Sequence, residues 1–264
     1  MAEHAADALA QSTEERLLLA QIQERAHITR ERGYMTSTKF LSAQETQLAQ
    51  QFMQAEHITN GVFFGGYDRA ERQVLVFVPD WMPPEDMLYD EAFPVTAVRC
   101  SKHKEDTLSH RDYLGSLMGL GLRRDAIGDI LVGEHGADVL VLKEVLPYLL
   151  YNYTQVGRKN ISVSELPLDQ LMVPEEKVSF LRDTVASMRL DSIVSAMFRI
   201  SRAKAADAVR AGKVFLNQRE CLRVDREVAV GDKVTLRGTG RGEVDEILGE
   251  SKKGRIVVVF KRFG

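Results

Sequence analysis

Hydrophobic and polar positions along the chain fall into three regimes. Over residues 1–60 the apolar positions recur at helical spacing, with Leu17, Leu18, Ile22 and Ile28 as one stripe and Leu48, Phe52 and Met53 as another. Ser42 precedes the second stripe and Glu45 follows three residues on, the pattern of a capping box, so helices are expected here. From about residue 62 the period shortens. VFFGGY, QVLVFVPDW and FPVTAVRC are β-rich runs separated by turn residues. Residues 108–122 return to a helical pattern, 127–132 and 137–143 read as a hairpin across Gly133 and Gly136, 144–153 as a second helix, and NISVSEL as a further strand. Strands interleaved with two helices in this order predict a split βαβ sandwich. On the first of these strands Phe63 and Phe64 point to opposite faces, which favours core positions for Phe63, Phe64 and Tyr67 over base stacking.

Pro167 and Pro174 interrupt both periods and mark a linker over residues 166–177. Residues 178–200 then read as an amphipathic helix with Val185, Met188, Ile193, Val194 and Met197 inward. The stretch SRAKAADAVRAGKVFLNQ follows. Ser201 is placed to cap a helix rich in alanine, and Gly212 to end it, because glycine enters the left-handed conformation at little cost. After Gly242 two strands are expected, joined by a turn at Ser251-Lys252-Lys253-Gly254 that extends a basic surface. The fold class is therefore α+β, divided into an N-terminal helical region (1–60), a central split βαβ domain (61–178) and a C-terminal module of two short helices and a small sheet (179–264).

Charge sharpens this division. Residues 188–264 hold 17 Lys and Arg against 10 Asp and Glu, so the C-terminal module is basic although the chain as a whole is −3. Such a module can displace counterions from a phosphate backbone. No apolar run approaches the roughly 18 to 20 residues that cross a bilayer, and the N-terminus lacks a signal-peptide core, so a cytoplasmic location without membrane partners is expected. Cys100 and Cys221 are expected to be reduced thiols. The six histidines are scattered without metal-ligand spacing, and neither a metal nor a cofactor is expected.

Residues 201–218, with Met188-Arg189-Leu190-Asp191 before them and GDKVTLRGTGR after, resemble the small RNA-binding module named after the fourth protein of the small ribosomal subunit, here the S-four domain. The resemblance implies a basic RNA surface at Arg189, Ser201, Arg202, Lys204, Arg210, Lys213, Asn217, Lys233, Arg237 and Arg241. FFGGYDRAERQ and LSHRDYLGSLMGLGLRRDAIGDILV are in turn similar to the central region of bacterial YlmH-type proteins. This second resemblance covers nearly the whole chain. It implies a ribosome-associated, non-catalytic factor that binds ribosomal RNA, tRNA or both on the large subunit, in the quality control of stalled subunits carrying peptidyl-tRNA, and monomeric when free.

Residues 108–132 leave two readings open. His110, Arg111, Arg123 and Arg124 form a second RNA or ribosome contact, or the glycines merely shape a helix-to-strand connection while Arg124 pairs with Asp125 or Asp129. An RNA-modifying enzyme with an S-four targeting module is the alternative function, its site at His110, Arg111 and Asp112. Against it, Arg189-Leu190-Asp191 opens a helix instead of lying in the G-R-L-D loop of a pseudouridine synthase, and Gly119 and Gly121 follow a helix, not a strand as a methyltransferase cofactor turn would. Segments like the HIGH and KMSKS motifs of a tyrosyl-tRNA synthetase do not occur. A third class is an adaptor to the division machinery, suggested by the acidic N-terminal part and the gene neighbourhood of the YlmH-type family.

Overall fold

The computed structural model describes residues 2–175, 178–217, 219–251 and 254–263. The chain divides into two compact units, Met1–Pro174 and Glu175–Gly264. The turn residues Lys252 and Lys253, and Gln218, lie outside the described residues.

The first unit opens with helices α1 (Ala2–Leu9) and α2 (Thr13–Arg32), strand β1 (Thr36–Ser37), helix α3 (Ala43–Ala55), and strands β2 (Gly61–Phe64) and β3 (Val74–Phe77). Ser42 and Glu45 close the expected capping box on α3. The inward stripe of α2 is Leu19, Ile22, Ala26 and Thr29, whereas Leu17, expected inside, is 58% exposed. One residue of offset turns a helix by about 100°. Helix packing on β3 selects the stripe, since Leu19, Ile22, Leu48 and Phe52 share one core with Leu75 and Phe77. Residues 1–60 thus belong to the same unit as the central segment, because their apolar faces close on its sheet.

The remainder of this unit is β4 (Val95–Lys102), α4 (His110–Gly119), β5 (Ile127–Gly133), β6 (Gly136–Leu142), α5 (Leu146–Asn152), β7 (Gln155–Val156) and β8 (Lys159–Leu166). The strand order β5-β6-β4-β8-β7, antiparallel throughout, is the split βαβ arrangement with β7 added at one edge. Helices α4 and α5 cover one face through Tyr113, Leu117 and Leu149 against Val98, Val139 and Val141. The opposite face, open in RNA-recognition folds of this topology, is filled. Val95, Ala97, Leu140 and Leu142 pack against Phe40, Val74, Val76 and Phe93. Phe64 joins that core, 5.7 Å from Phe93, and Phe63 joins the helical core behind it, as alternation along β2 requires.

The second unit contains β9 (Val178–Val185), α6 (Leu190–Phe198), α7 (Arg202–Arg210), β10 (Val214–Leu216), β11 (Arg219–Glu220), β12 (Lys233–Leu236), β13 (Gly240–Glu250) and β14 (Ile256–Phe263). Its sheet order is β11-β10-β12-β13-β14-β9. Residues 178–185 are a strand, not the first two turns of the helix expected over 178–200. All eight pair antiparallel with β14, and that ladder with its β-branched ends at Val178, Thr184 and Val185 outweighs a helical apolar pattern. The helix begins only at Leu190. Both helices lie on one face of the sheet, where Ile193, Val194, Met197, Ala205 and Val209 meet Val234, Leu236, Val244, Val258 and Phe260.

Candidate nucleic-acid interface

Two basic residues of the second unit, Arg189 and Arg202, are held by one buried carboxylate. Asp191, in the first turn of α6, accepts from Arg202 Nε at 2.9 Å and from Arg189 Nε at 3.3 Å. Burial favours the neutral acid, but the two guanidinium groups reverse that preference and hold the Asp191 pKa below its ordinary value. Both arginines remain about half exposed. Asp191 therefore fixes their positions while their charge still faces solvent. The backbone of residues 224–228 runs beside them, with Leu190 N–H donating to Arg226 O at 2.8 Å and Asp191 N–H to Val224 O at 3.1 Å. That brings the backbone of the segment carrying Arg223 and Arg226 beside the pair. Arg223, with help from Arg189, lowers the pKa of Asp225.

Helix α7 adds further cations. Ser201 Oγ accepts from Lys204 N–H at 3.3 Å, the expected cap, and Gly212 takes φ +66° past the helix end. Ala205 and Val209 turn inward, which leaves Lys204 and Arg210 exposed, and Lys213 is exposed just beyond. Arg210 shares its charge with Asp207 at 3.3 Å on the surface. Ser201 itself is a cap. Asn217 is likewise spent on structure: it sits at φ +48°, donates to Asp232 Oδ1 at 2.7 Å and accepts from Lys233 N–H at 2.9 Å. Its amide ties the end of β10 to the start of β12.

Lys233, Arg237 and Arg241 stand elsewhere. Val234, Leu236, Gly242 and Val244 face the helices, and a Cβ on Gly242 would meet Met197 Sδ at 2.7 Å. Alternation then turns Lys233 and Arg241 to the opposite face. Arg237 joins them there, its guanidinium 5.2 Å from the ring centre of Phe215. The ten residues singled out from the sequence thus split into a helical face, an outer sheet face and two structural positions.

In the first unit Asp129 gathers the two central motifs. Its carboxylate accepts from Tyr67 OH at 2.8 Å, from Glu71 N–H at 2.7 Å and from Arg72 N–H at 3.1 Å. Burial is the larger influence on this acid and raises its pKa. Arg72 donates to the carbonyls of Ile127 and Phe40, each at 3.0 Å. Arg124 donates to the carbonyls of Ile127 and Gly128 at 2.5 and 3.2 Å, and burial beside Arg72 brings its pKa down to about 10. Arg124 is therefore a clamp on the start of β5, bonded to carbonyls where a carboxylate partner was one expectation. Arg123 pairs with Asp125 at 2.8 Å. Ser109 caps α4, and Asp112 reaches back to Ser109 N–H and Oγ, both at 2.7 Å. His110 and Arg111 are exposed, and the His110 pKa is lowered by desolvation and by Arg124.

The family model described as "Putative RNA-binding domain in YlmH" matches residues 91–189, and that of the S4 domain matches residues 188–234. Over 250 residues the chain is 33% identical to ribosome-associated protein quality control protein P2 of Bacillus subtilis, covering 94% of this chain and 95% of that protein. The chain belongs to the YlmH family of S-four proteins. A solved structure, cell division protein ylmH from Streptococcus pneumoniae, aligns with 19% identity and TM-score 0.49 over 62% of this chain and 98% of that one.

In this YlmH-family protein the S-four match ends within β12, at residue 234, so β13, β14 and β9 extend the sheet beyond the module itself. Arg223, Arg226, Arg182 and Lys261 were not legible as surface members from the sequence. The only signal was their charge, and the sheet register that orients them is long-range. No helix among the described residues is long and apolar enough to cross a membrane.

Proposed function

We propose that this protein is a non-catalytic factor that grips folded ribosomal RNA or tRNA on the large ribosomal subunit during ribosome-associated quality control. One observation carries the reading: Asp191 holds Arg189 and Arg202 with their charge half exposed at the start of α7, and Lys204, Arg210 and Lys213 are exposed on and just after that helix. A-form RNA keeps its base edges in a deep groove, so a compact basic helix pair is suited to phosphates and groove shape more than to sequence. The name of the Bacillus subtilis relative supports the setting. The non-catalytic reading is supported by Asp112, whose carboxylate is committed to capping α4 and so is poorly placed for acid-base work beside His110.

Sedimentation of the full chain with purified ribosomal subunits tests this. Co-migration with large subunits is expected, and the triple variant Lys204→Glu, Arg210→Glu, Lys213→Glu should lose it while keeping its melting temperature. Affinity should fall steeply with salt, with a log–log slope that shrinks by about 0.7 to 0.9 for each phosphate contact removed. Unchanged co-migration of the triple variant would refute the helical surface, and co-migration with small subunits alone would refute the target. A ribosomal RNA modification that returns with wild type but not with His110→Ala would instead establish catalysis.

A further inference from the structure

The face of the second unit's sheet turned away from α6 and α7 carries its own pattern. Cross-strand pairing sets one row, Phe215, Thr235, Arg241, Phe263 and Val178, each opposite the next. A second row is Lys233, Glu243, Lys261 and Phe180, and Val259 with Arg182 begins a third. These positions alternate with the buried Val234, Val244, Val258 and Phe260, so they share the outer face. From β10 to β9 the rows cross four strand spacings, on the order of 19 Å.

Aromatic rings and cations are interleaved on this face. Arg237 lies 5.2 Å from the Phe215 ring centre, and Arg241 and Lys261 lie 5.6 and 5.5 Å from that of Phe263. Contact with a ring steadies a long cationic side chain without neutralising it. Phe180, cross-strand from Lys261, is 66% exposed, and β9 is an edge strand. With the exposed Val178 on the same face, Phe180 makes an apolar spot on that edge strand. Lys233, Arg237, Arg241, Lys261 and Arg182 outnumber the acids Glu243, Glu246 and Glu220 that the same pairing brings to the face. The charge complements a polyanion, and the rings offer π-faces.

We propose that this outer sheet face is a second RNA surface, distinct from the helical one, that takes unpaired nucleotides. A base stacks on Phe180, and the adjoining phosphates lie against Lys261, Arg241 and Arg182. Sheet aromatics flanked by cations accept any base, because every base has a π-face. The inference rests on the reading of the protein as an RNA binder and adds a substrate class to it: the helices take folded RNA, the sheet takes a single strand running on from it.

Two labelled probes separate the surfaces, an unstructured oligouridine and a stable RNA stem-loop with a minimal loop, each titrated with the full chain. Phe180→Ala should weaken oligouridine binding about five- to tenfold, the low end for losing one base–aromatic stack, and leave stem-loop affinity unchanged. Phe180→Trp should retain oligouridine binding, and in a Trp81→Phe background its emission should be quenched by oligouridine. The triple reversal at Lys204, Arg210 and Lys213 should weaken the stem-loop first. Oligouridine affinity unmoved by Phe180→Ala, or both probes weakened alike, would overturn the sheet surface. A stem-loop insensitive to the triple reversal would instead overturn the helical reading, leaving the Phe180 result to stand alone.

Discussion

Arg202 donates its Nε–H to Asp191 at 2.9 Å, tying the first residue of α7 to the first turn of α6. The pair makes Arg202 a structural as well as a surface residue. Reversing Arg202 would set a second carboxylate against a buried one, so Lys204, Arg210 and Lys213 are the cleaner probes of RNA contact.

Asp191→Ala should destabilise the second unit by about 2 kcal/mol, below the usual cost of breaking a buried pair because both arginines are half exposed. The Asp191 pKa is depressed in the folded state, so its contribution is fully present above the unfolded value near 3.8 and is lost as pH falls through the folded one. Acid unfolding followed by circular dichroism should show wild type losing stability below about pH 4, with the Asp191→Ala curve flatter in that window. RNA affinity should also fall, since Arg189 and Arg202 lose their anchor.

Asp129→Ala should cost about 2 to 4 kcal/mol, because two backbone N–H groups and the Tyr67 hydroxyl lose their acceptor. Asp129→Asn should cost less. Burial raises the Asp129 pKa, so charging it weakens the folded state as pH rises from the unfolded value through the folded one, and the neutral amide avoids that penalty. Chemical denaturation at pH 7 ranks the two variants. Equal losses would contradict the assignment.

Two glycines should respond in opposite directions. Gly136 takes φ +139°, and a Cβ there would strike the carbonyl oxygen of Cys100 on β4, so Gly136→Ala should destabilise by about 2 kcal/mol or more. Gly115 lies within α4 with open space around it. Gly115→Ala should raise stability by about 0.5 to 1 kcal/mol. Thermal melts of the two single variants check the signs.

The two thiols should separate kinetically. Cys100 is buried in the central sheet, and desolvation pushes its pKa up to about 12, whereas Cys221 is half-buried near the surface. At pH 8 a thiol reagent should modify one cysteine of the native protein and two after denaturation. Rapid reaction of both in the native state would contradict the burial of β4.

Local chemistry was readable from the chain itself. Ser42, Ser109 and Ser201 cap the helices their positions announce, Gly212 adopts the left-handed turn, and the order of strands and helices after residue 90 dictates the split βαβ sheet. These depend on neighbours within a few residues, or on a connectivity with few allowed foldings. Tertiary structure decided the rest. It made residues 178–185 a strand through pairing with β14, about 80 residues away, and rotated the inward stripe of α2 onto Leu19 and Ala26. It also parted Lys233, Arg237 and Arg241 from Lys204 and Arg210. A side chain's charge is written in its sequence, but the face it occupies follows from sheet register and helix packing, which are set by contacts between distant segments.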